Sequence, residues 1–370
     1  MQNKKIVTFI IGTRPEAIKL APVILEFKSY ELFETRIVLT GQHNEMVQQI
    51  MSKFNLIDNI NLNLMRKKQS LANITSKILI NLESEFDQFK PELVVVQGDT
   101  SSAFSAALLA FYKKIKIAHV EAGLRTNVLL NPFPEEANRR LISKIATLHF
   151  APTNIALENL KKENINEKIF LTGNTGIDAL LLISKKISNF TIKGENLLKK
   201  KLILVTIHRR ENWGKNVENI CEAINRLTLI FNDVIFLIPM HKNPIVRDSI
   251  INLLENNNKV ILKEAMDYEQ LVSAMKTCYL ILTDSGGIQE EAPSFRKPVL
   301  VLRENTERCE AIDAGIAKLV GTNISSIEKV TSTLLTNKKE YNKMISDHNP
   351  FGDGKASKRI LKHCIQEIFE

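Results

Sequence analysis

The chain is predicted to be an α/β protein of two Rossmann-like halves, and three observations predict it. Short β-rich apolar runs alternate with amphipathic stretches of helical period. The alternation breaks near the middle and then restarts. At 370 residues the chain also exceeds one ordinary core. It suits two domains of about 150–200 residues each.

In the first half the strand candidates are KIVTFII (5–11), TRIVLT (35–40), ELVVVQG (92–98), KIAHVEA (116–122), TLHFAPT (147–153) and KIFLTGN (168–174). Between them lie the helical patterns EAIKLAPVILEFKSY (16–30), NEMVQQIMSKFN (44–55), LANITSKILINLESEFDQF (71–89) and SSAFSAALLAFYKK (101–114). Such alternation implies βαβ units and a parallel sheet. The second half offers KLILVTI (201–207), DVIFLIP (233–239), KVILKEA (259–265), YLILTDS (279–285), KPVLVLR (297–303) and AKLVGT (317–322). The stretch 176–201 carries no strand and reads as the crossover. A final helix, KASKRILKHCIQEIF (355–369), follows the turn NPFGDG (349–354) and is expected to fold back on the first half. The expected domains are therefore 1–175 plus 355–370, and 176–354.

Composition narrows the function classes. The apolar share of 44% is that of a globular protein, and no apolar run approaches the roughly 20 residues that span a bilayer. The opening MQNKKIVTFIIGTRPE lacks a small-residue cleavage site and reads as a buried first strand, so a cytosolic protein without membrane association is expected. Cys221, Cys278, Cys309 and Cys364 form no CxxC pair and stand near no histidine at zinc spacing. Reduced, packed thiols and no structural metal are the expectation. The net charge of +9 comes from lysines in mixed-sign stretches such as LKKENINEK (160–168), without interleaved aromatics. That is a solvated surface rather than a nucleic-acid groove, and an anionic small substrate fits it equally well.

In doubly wound folds ligands bind beyond the carboxyl ends of the strands, so polar residues there are the candidates. After the first strand, GTRPEAIKLAP (12–22) offers a helix start facing an anion, with Arg14 and Lys19 adding charge; a routine turn explains it too. Asp99 ends the third strand, where a helix cap is the plain alternative. Glu121 in HVEAGLRT (119–126) follows an apolar strand, where a carboxylate is costly unless paired, and Arg125 is the near candidate. In NPFPEEANRRLISKIA (131–146), Glu135 with Arg139 and Glu136 with Arg140 have the spacing of helical ion pairs.

In the second half, VTIHRRENWGK (205–215) puts His208, Arg209 and Arg210 at a strand end, as proton carrier or anion contact, or merely as a basic loop. TDSGGIQEE (283–291) runs a strand into Ser285, Gly286 and Gly287 and then a helix, so backbone N–H groups can approach an anion closely. It matches neither GxGxxG nor GKS/T. Glu291 is placed to accept from ribose hydroxyls, and RENTERCEAIDAG (303–315) brings Arg303 and Arg308 to the same edge.

Taken together, GTRPEAIKLAPV, TGQHNEM, QGDT, HVEAGLRT, NPFPEEANR, HFAPT, TGNTGIDAL, HRREN, TDSGGIQEEAP and RENTER resemble the non-hydrolysing UDP-N-acetylglucosamine 2-epimerases, in order and over essentially the whole chain. The resemblance implies a glycosyltransferase-B architecture, two Rossmann-like domains facing a central cleft. It implies interconversion of UDP-GlcNAc and UDP-ManNAc through a 2-acetamidoglucal, with no NAD or metal cofactor. By motif position it makes Asp99, Glu121, Glu135 and His208 catalytic. It assigns Arg14, Lys19, Arg139, Ser285, Gly286, Gly287, Glu291 and Arg308 to substrate. Gln42, His43, Arg209 and His241 match a second, allosteric UDP-GlcNAc site, and the stretch MRKKQSL (65–71) offers a further basic contact. A homodimer is also implied. Relatives acting on UDP-diacetamido-uronic acids share nearly the same residues, and a UDP-sugar glycosyltransferase of the same fold is a further alternative.

Overall fold

The computed structural model describes residues 4–41, 44–57, 60–64, 69–166, 168–192, 199–241 and 243–370. The chain divides into two units, Met1–Ala179 with Phe351–Glu370, and Leu180–Pro350.

The first unit is built on β1 (Lys5–Ile11), β2 (Phe33–Leu39), β3 (Ile60–Asn61), β4 (Leu93–Gln97), β5 (Lys116–Val120), β6 (Leu148–Ala151) and β7 (Ile169–Leu171). Their order is β3-β2-β1-β4-β5-β6-β7, and neighbouring strands run parallel. The central strands are apolar almost throughout because helices cover the sheet, and a strand covered on both faces cannot alternate with polar residues. Ile10, Val94 and Val96 share one core cluster with Ile78, Leu82 and Phe86 of the helix Leu71–Phe89. The helix Ser101–Tyr112 joins that cluster through Ala103, Ala106, Ala107 and Ala110, whose small side chains let it lie close to the sheet. Thr100 starts this helix by accepting a hydrogen bond from Ala103 N at 3.0 Å.

The C-terminal helix Ala356–Phe369 belongs to this unit. Asp178 caps it, accepting from Ser357 N at 2.8 Å, and Glu367 takes ion pairs from Lys116 at 3.0 Å and Lys168 at 2.7 Å. Phe369 reaches Phe33 at a ring separation of 5.6 Å.

The second unit has β8 (Lys201–Thr206), β9 (Val234–Pro239), β10 (Val260–Lys263), β11 (Leu280–Thr283), β12 (Val299–Val301) and β13 (Ala317–Leu319), in the order β10-β9-β8-β11-β12-β13. Its core gathers Val205, Phe236, Leu282 and Leu300 with Ile220, Ile224 and Leu227 of the helix Lys215–Ile230. In each sheet the chain grows outward on one side, then returns to the first strand's other flank. The strand order therefore reverses between β1 and β4 and between β8 and β11. At such reversals the connections leave in opposite directions, which opens a crevice at the carboxyl ends.

Some elements are shorter than the apolar runs suggest. The run 116–122 ends as a strand at Val120, because Glu121 has φ +65° and cannot continue a pleat. The run 297–303 pairs only over Val299–Val301, after Pro298, which has no N–H to donate. The two-residue edge strand β3 has no hydrophobic pattern to announce it. Among the described residues no helix is long and apolar enough to cross a membrane.

Candidate active site

At the carboxyl edge of the first sheet, β1 passes through Gly12 and Thr13 into the helix Arg14–Lys28. Arg14 opens this helix, half-buried, with no partner among the described residues. Lys19, on the same helix, forms an ion pair with Glu121, which also accepts from Gln97 Nε2. Glu121 directly follows β5 in the left-handed region, which a side chain with a Cβ adopts only at a cost, so its direction is set by the surrounding contacts.

Asp99 lies two residues beyond β4, and its Oδ2 takes Arg139 Nε at 2.7 Å and Nη2 at 2.6 Å. Arg139 also reaches Glu136 at 3.1 Å. Glu136 is fully buried and accepts from Thr126 N at 3.0 Å and Arg140 Nε at 3.1 Å. Burial works to raise its pKa, but the Thr126 N–H and the two guanidinium groups hold it below the usual carboxylate range. The side chain of Glu135, the first residue of the helix Glu135–Ile145, has no ion pair or hydrogen bond among the described residues. The edge thus carries four carboxylates, of which Asp99, Glu121 and Glu136 are matched to a cation and Glu135 is not.

At the carboxyl edge of the second sheet one buried carboxylate organises the loop. Asp284, directly after β11, receives His208 Nδ1 at 2.9 Å, His208 N at 3.0 Å, Arg209 N at 2.9 Å and Asn212 Nδ2 at 3.0 Å. Burial would raise its pKa, yet the His208 hydrogen bond and charge and the two N–H donors leave it lowered. His208 is thereby fixed through its Nδ1, with the ring partly exposed. The next residues begin the six-residue helix Gly286–Glu291, whose cap position, Ser285, makes no side-chain cap bond. The first-turn N–H groups are therefore not satisfied by a cap. A Cβ on Gly286 would meet the Arg308 guanidinium carbon at 3.0 Å, so the missing side chain lets that cation lie against the helix start. Arg308 is anchored by Glu290 at 2.8 Å. At Gly287 the nearest atom to an added Cβ is Ser285 Oγ at 4.0 Å, so the backbone is open there. An anion meeting this edge finds N–H groups, a hydroxyl and a guanidinium.

The UDP-N-acetylglucosamine 2-epimerase family model matches residues 25–364. The chain belongs to that family. It is 44% identical over 373 residues to the UDP-N-acetylglucosamine 2-epimerase of Bacillus subtilis, covering 99% of this chain and 96% of the relative. Among solved structures, the UDP-GlcNAc 2-epimerase of Neisseria meningitidis bound to UDP-GlcNAc matches with a TM-score of 0.87 at 44% identity, over 98% of this chain and 100% of that one. The enzyme of Methanocaldococcus jannaschii in complex with UDP-GlcNAc and UDP matches with a TM-score of 0.78 at 36% identity, over 98% and 99%.

Within this family member, the first sheet's edge gathers Arg14, Lys19, Asp99, Glu121, Glu135 and Arg139, and the second gathers His208, Ser285, Gly286, Gly287 and Arg308. Glu291 closes the short helix and is half-buried. His241 follows β9 with its ring 6.3 Å from that of His208. Arg209 gives its backbone N–H to Asp284, and its buried Nε has no hydrogen-bond partner among the described residues. Gln42, His43, Arg66, Lys67 and Lys68 lie outside the described residues. Arg303 is held by Glu211 and by Glu307 at 2.9 Å, so it stabilises the loop instead of facing an anion.

Two local expectations are corrected. Glu121 does not bridge to Arg125, which instead holds Glu163 at 2.8 Å; the left-handed turn at Glu121 leads its side chain to Lys19. Glu135 and Arg139 do not pair despite their spacing, because Arg139 reaches Asp99 and Glu136. Sequence reading passed over Glu16, His119, Asn138 and Asp284. Asp284 had the same signal as Glu121, an acid straight after an apolar strand, and Glu16 stood three residues after a Thr cap, the spacing of a capping box.

Proposed function

We propose that this protein interconverts UDP-GlcNAc and UDP-ManNAc. The reading is carried by three carboxylates, Asp99, Glu121 and Glu135, placed with Lys19 and Arg139 at one sheet edge beside a strand-order reversal. The relatives crystallised with UDP-GlcNAc, and with UDP-GlcNAc and UDP, support the choice of ligand.

The proton on sugar C2 is weakly acidic, so its removal needs a positioned base. As a carboxylate takes that proton, the C–H electron pair forms the C1–C2 double bond and the C1–O bond to UDP breaks. The products of this half-reaction are 2-acetamidoglucal and UDP. In the second half an acid returns a proton to the other face of C2, and the UDP oxygen attacks C1 again. Negative charge gathers on the departing diphosphate, which matches the N–H groups of the 286–291 helix start, Ser285, Arg308 and His208. Arg14, Lys19, Arg139 and Glu291 complete the contacts to substrate in this reading. It also carries a second UDP-GlcNAc at Gln42, His43, Arg209 and His241, a homodimer in the cytosol, and supply of ManNAc units for surface polysaccharide.

Incubation with UDP-GlcNAc in deuterium oxide is the test. Appearance of UDP-ManNAc with deuterium at C2 is expected. No exchange at any protein concentration removes the proposal, and exchange only with a UDP-diacetamido-uronic acid moves it to that substrate.

A further inference from the structure

Three buried side chains converge on residues 98–100, the turn that carries Asp99. His119 Nε2 lies 2.8 Å from the Gly98 carbonyl, Asn138 Nδ2 donates to the Asp99 carbonyl at 2.8 Å, and Thr100 Oγ1 donates to Glu16 Oε1 at 2.7 Å. The three are 0%, 6% and 1% exposed, respectively His119, Asn138 and Glu16. They come from three different elements, and each element bears another candidate group. His119 is on β5, which delivers Glu121; Asn138 is on the helix of Glu135 and Arg139; Glu16 is on the helix of Arg14 and Lys19.

Packing alone does not explain these residues. A buried polar group costs free energy that an apolar side chain of equal size avoids. Burial pushes the Glu16 carboxyl up to about 7 and the His119 imidazole down to about 3, so both sit in surroundings hostile to charge. His119 is then a neutral ring that donates from Nε2, and its Nδ1 has no partner among the described residues. Glu16 Oε2 already serves its own helix start, accepting from Gly12 N at 3.0 Å and Thr13 N at 2.6 Å. The reach of Oε1 to Thr100, 84 residues away, adds nothing to that helix.

We propose that Glu16, Asn138 and His119 form a positioning clamp that fixes the direction of Asp99 relative to Lys19, Glu121 and Glu135 without touching substrate. The clamp rests on the reading of Asp99 as a catalytic carboxylate. His119 and Asn138 hold the carbonyls of Gly98 and Asp99, Glu16 holds the Thr100 hydroxyl, and Arg139 holds the Asp99 carboxylate itself.

Steady-state kinetics of three variants test it. Thr100→Val removes the hydroxyl that reaches Glu16, Thr100→Ser keeps it, and Asn138→Leu removes the amide without touching the cap of the 101–112 helix. A misdirected catalytic group costs up to about 100-fold in rate, so Thr100→Val and Asn138→Leu are each expected to lower kcat by about 10- to 100-fold. KM and the calorimetric Kd for UDP should stay within about twofold, since only a transition-state interaction is lost, and Thr100→Ser should recover kcat to within about threefold. Equal kcat in Thr100→Val and Thr100→Ser, undiminished kcat in Asn138→Leu, or a fall in kcat matched by a lost fraction of UDP-binding protein would each overturn the clamp. An active wild type with undiminished variants sinks the clamp alone, whereas an inactive wild type sinks the epimerase reading as well.

Discussion

The carboxyl edge of the first sheet meets its polar chemistry with separate cation–carboxylate pairs, whereas that of the second gathers it on one buried carboxylate. In the first unit Lys19 reaches Glu121 and Arg139 reaches Asp99 across 102 and 40 positions, each joining two different elements. In the second, Asp284 alone gathers His208, Arg209 and Asn212, and the neighbouring backbone stays open at Gly287. The difference matches the work each edge is suited to. Carboxylates that move protons must be aimed, and aiming a side chain takes several supports. A surface that receives an anion needs exposed N–H groups and a cation held close, which one short helix start and Arg308 supply.

If the first edge does chemistry and the second does binding, Asp99→Asn should lower turnover by about 100- to 10,000-fold, the span of general acid–base catalysis. UDP affinity, measured by calorimetry, should barely move; a parallel loss of affinity would break the distinction. Asp284→Ala should act on the other edge by leaving buried donors of the 208–212 loop unpaired. A loss of about 3 kcal/mol in urea unfolding is expected, together with weaker UDP binding.

The two edges also differ in the sign of their pH dependence. The Asp284 carboxyl is lowered below its ordinary 3.8, so the stability it contributes is present above that value and is lost as pH falls below about 4. Glu16 is raised from 4.5 to about 7, so its contribution is full below pH 4.5 and is lost as pH rises through 7. Glu16→Gln should therefore gain roughly 2–3 kcal/mol on the wild type between pH 5 and pH 8, read from urea midpoints at each pH. A constant difference across that range would show that Glu16 does not titrate there. The smallest effect is expected at Gly287→Ala, where space is available and melting should be unchanged. UDP affinity should drop about tenfold, or ~1.4 kcal/mol, because a methyl group holds the ligand off the backbone.

Much of this was legible in the residues. The alternating runs gave the two parallel sheets, and the acids after apolar strands marked Asp99 and Glu121. Partner choice was not legible. Glu135 and Arg139 have ideal helical spacing, yet an exposed local pair contributes only a few tenths of a kcal/mol, so a partly buried partner such as Asp99 outcompetes it. Glu121 misled for a related reason: its left-handed backbone breaks the periodicity on which local reading depends. The short edge strand Ile60–Asn61 was silent because two half-buried residues carry no pattern.

The sequence by itself determined the elements, their alternation, and the residue types waiting at each strand end, since apolar period and turn chemistry act over a few residues. Only the tertiary structure decided that β1 lies beside β4 and β8 beside β11. That adjacency brings Glu16 to Thr100 and His208 to Asp284, pairs 84 and 76 positions apart. Strand order is set by which apolar faces pack best once all the elements are present, a property of the whole core that no local stretch encodes.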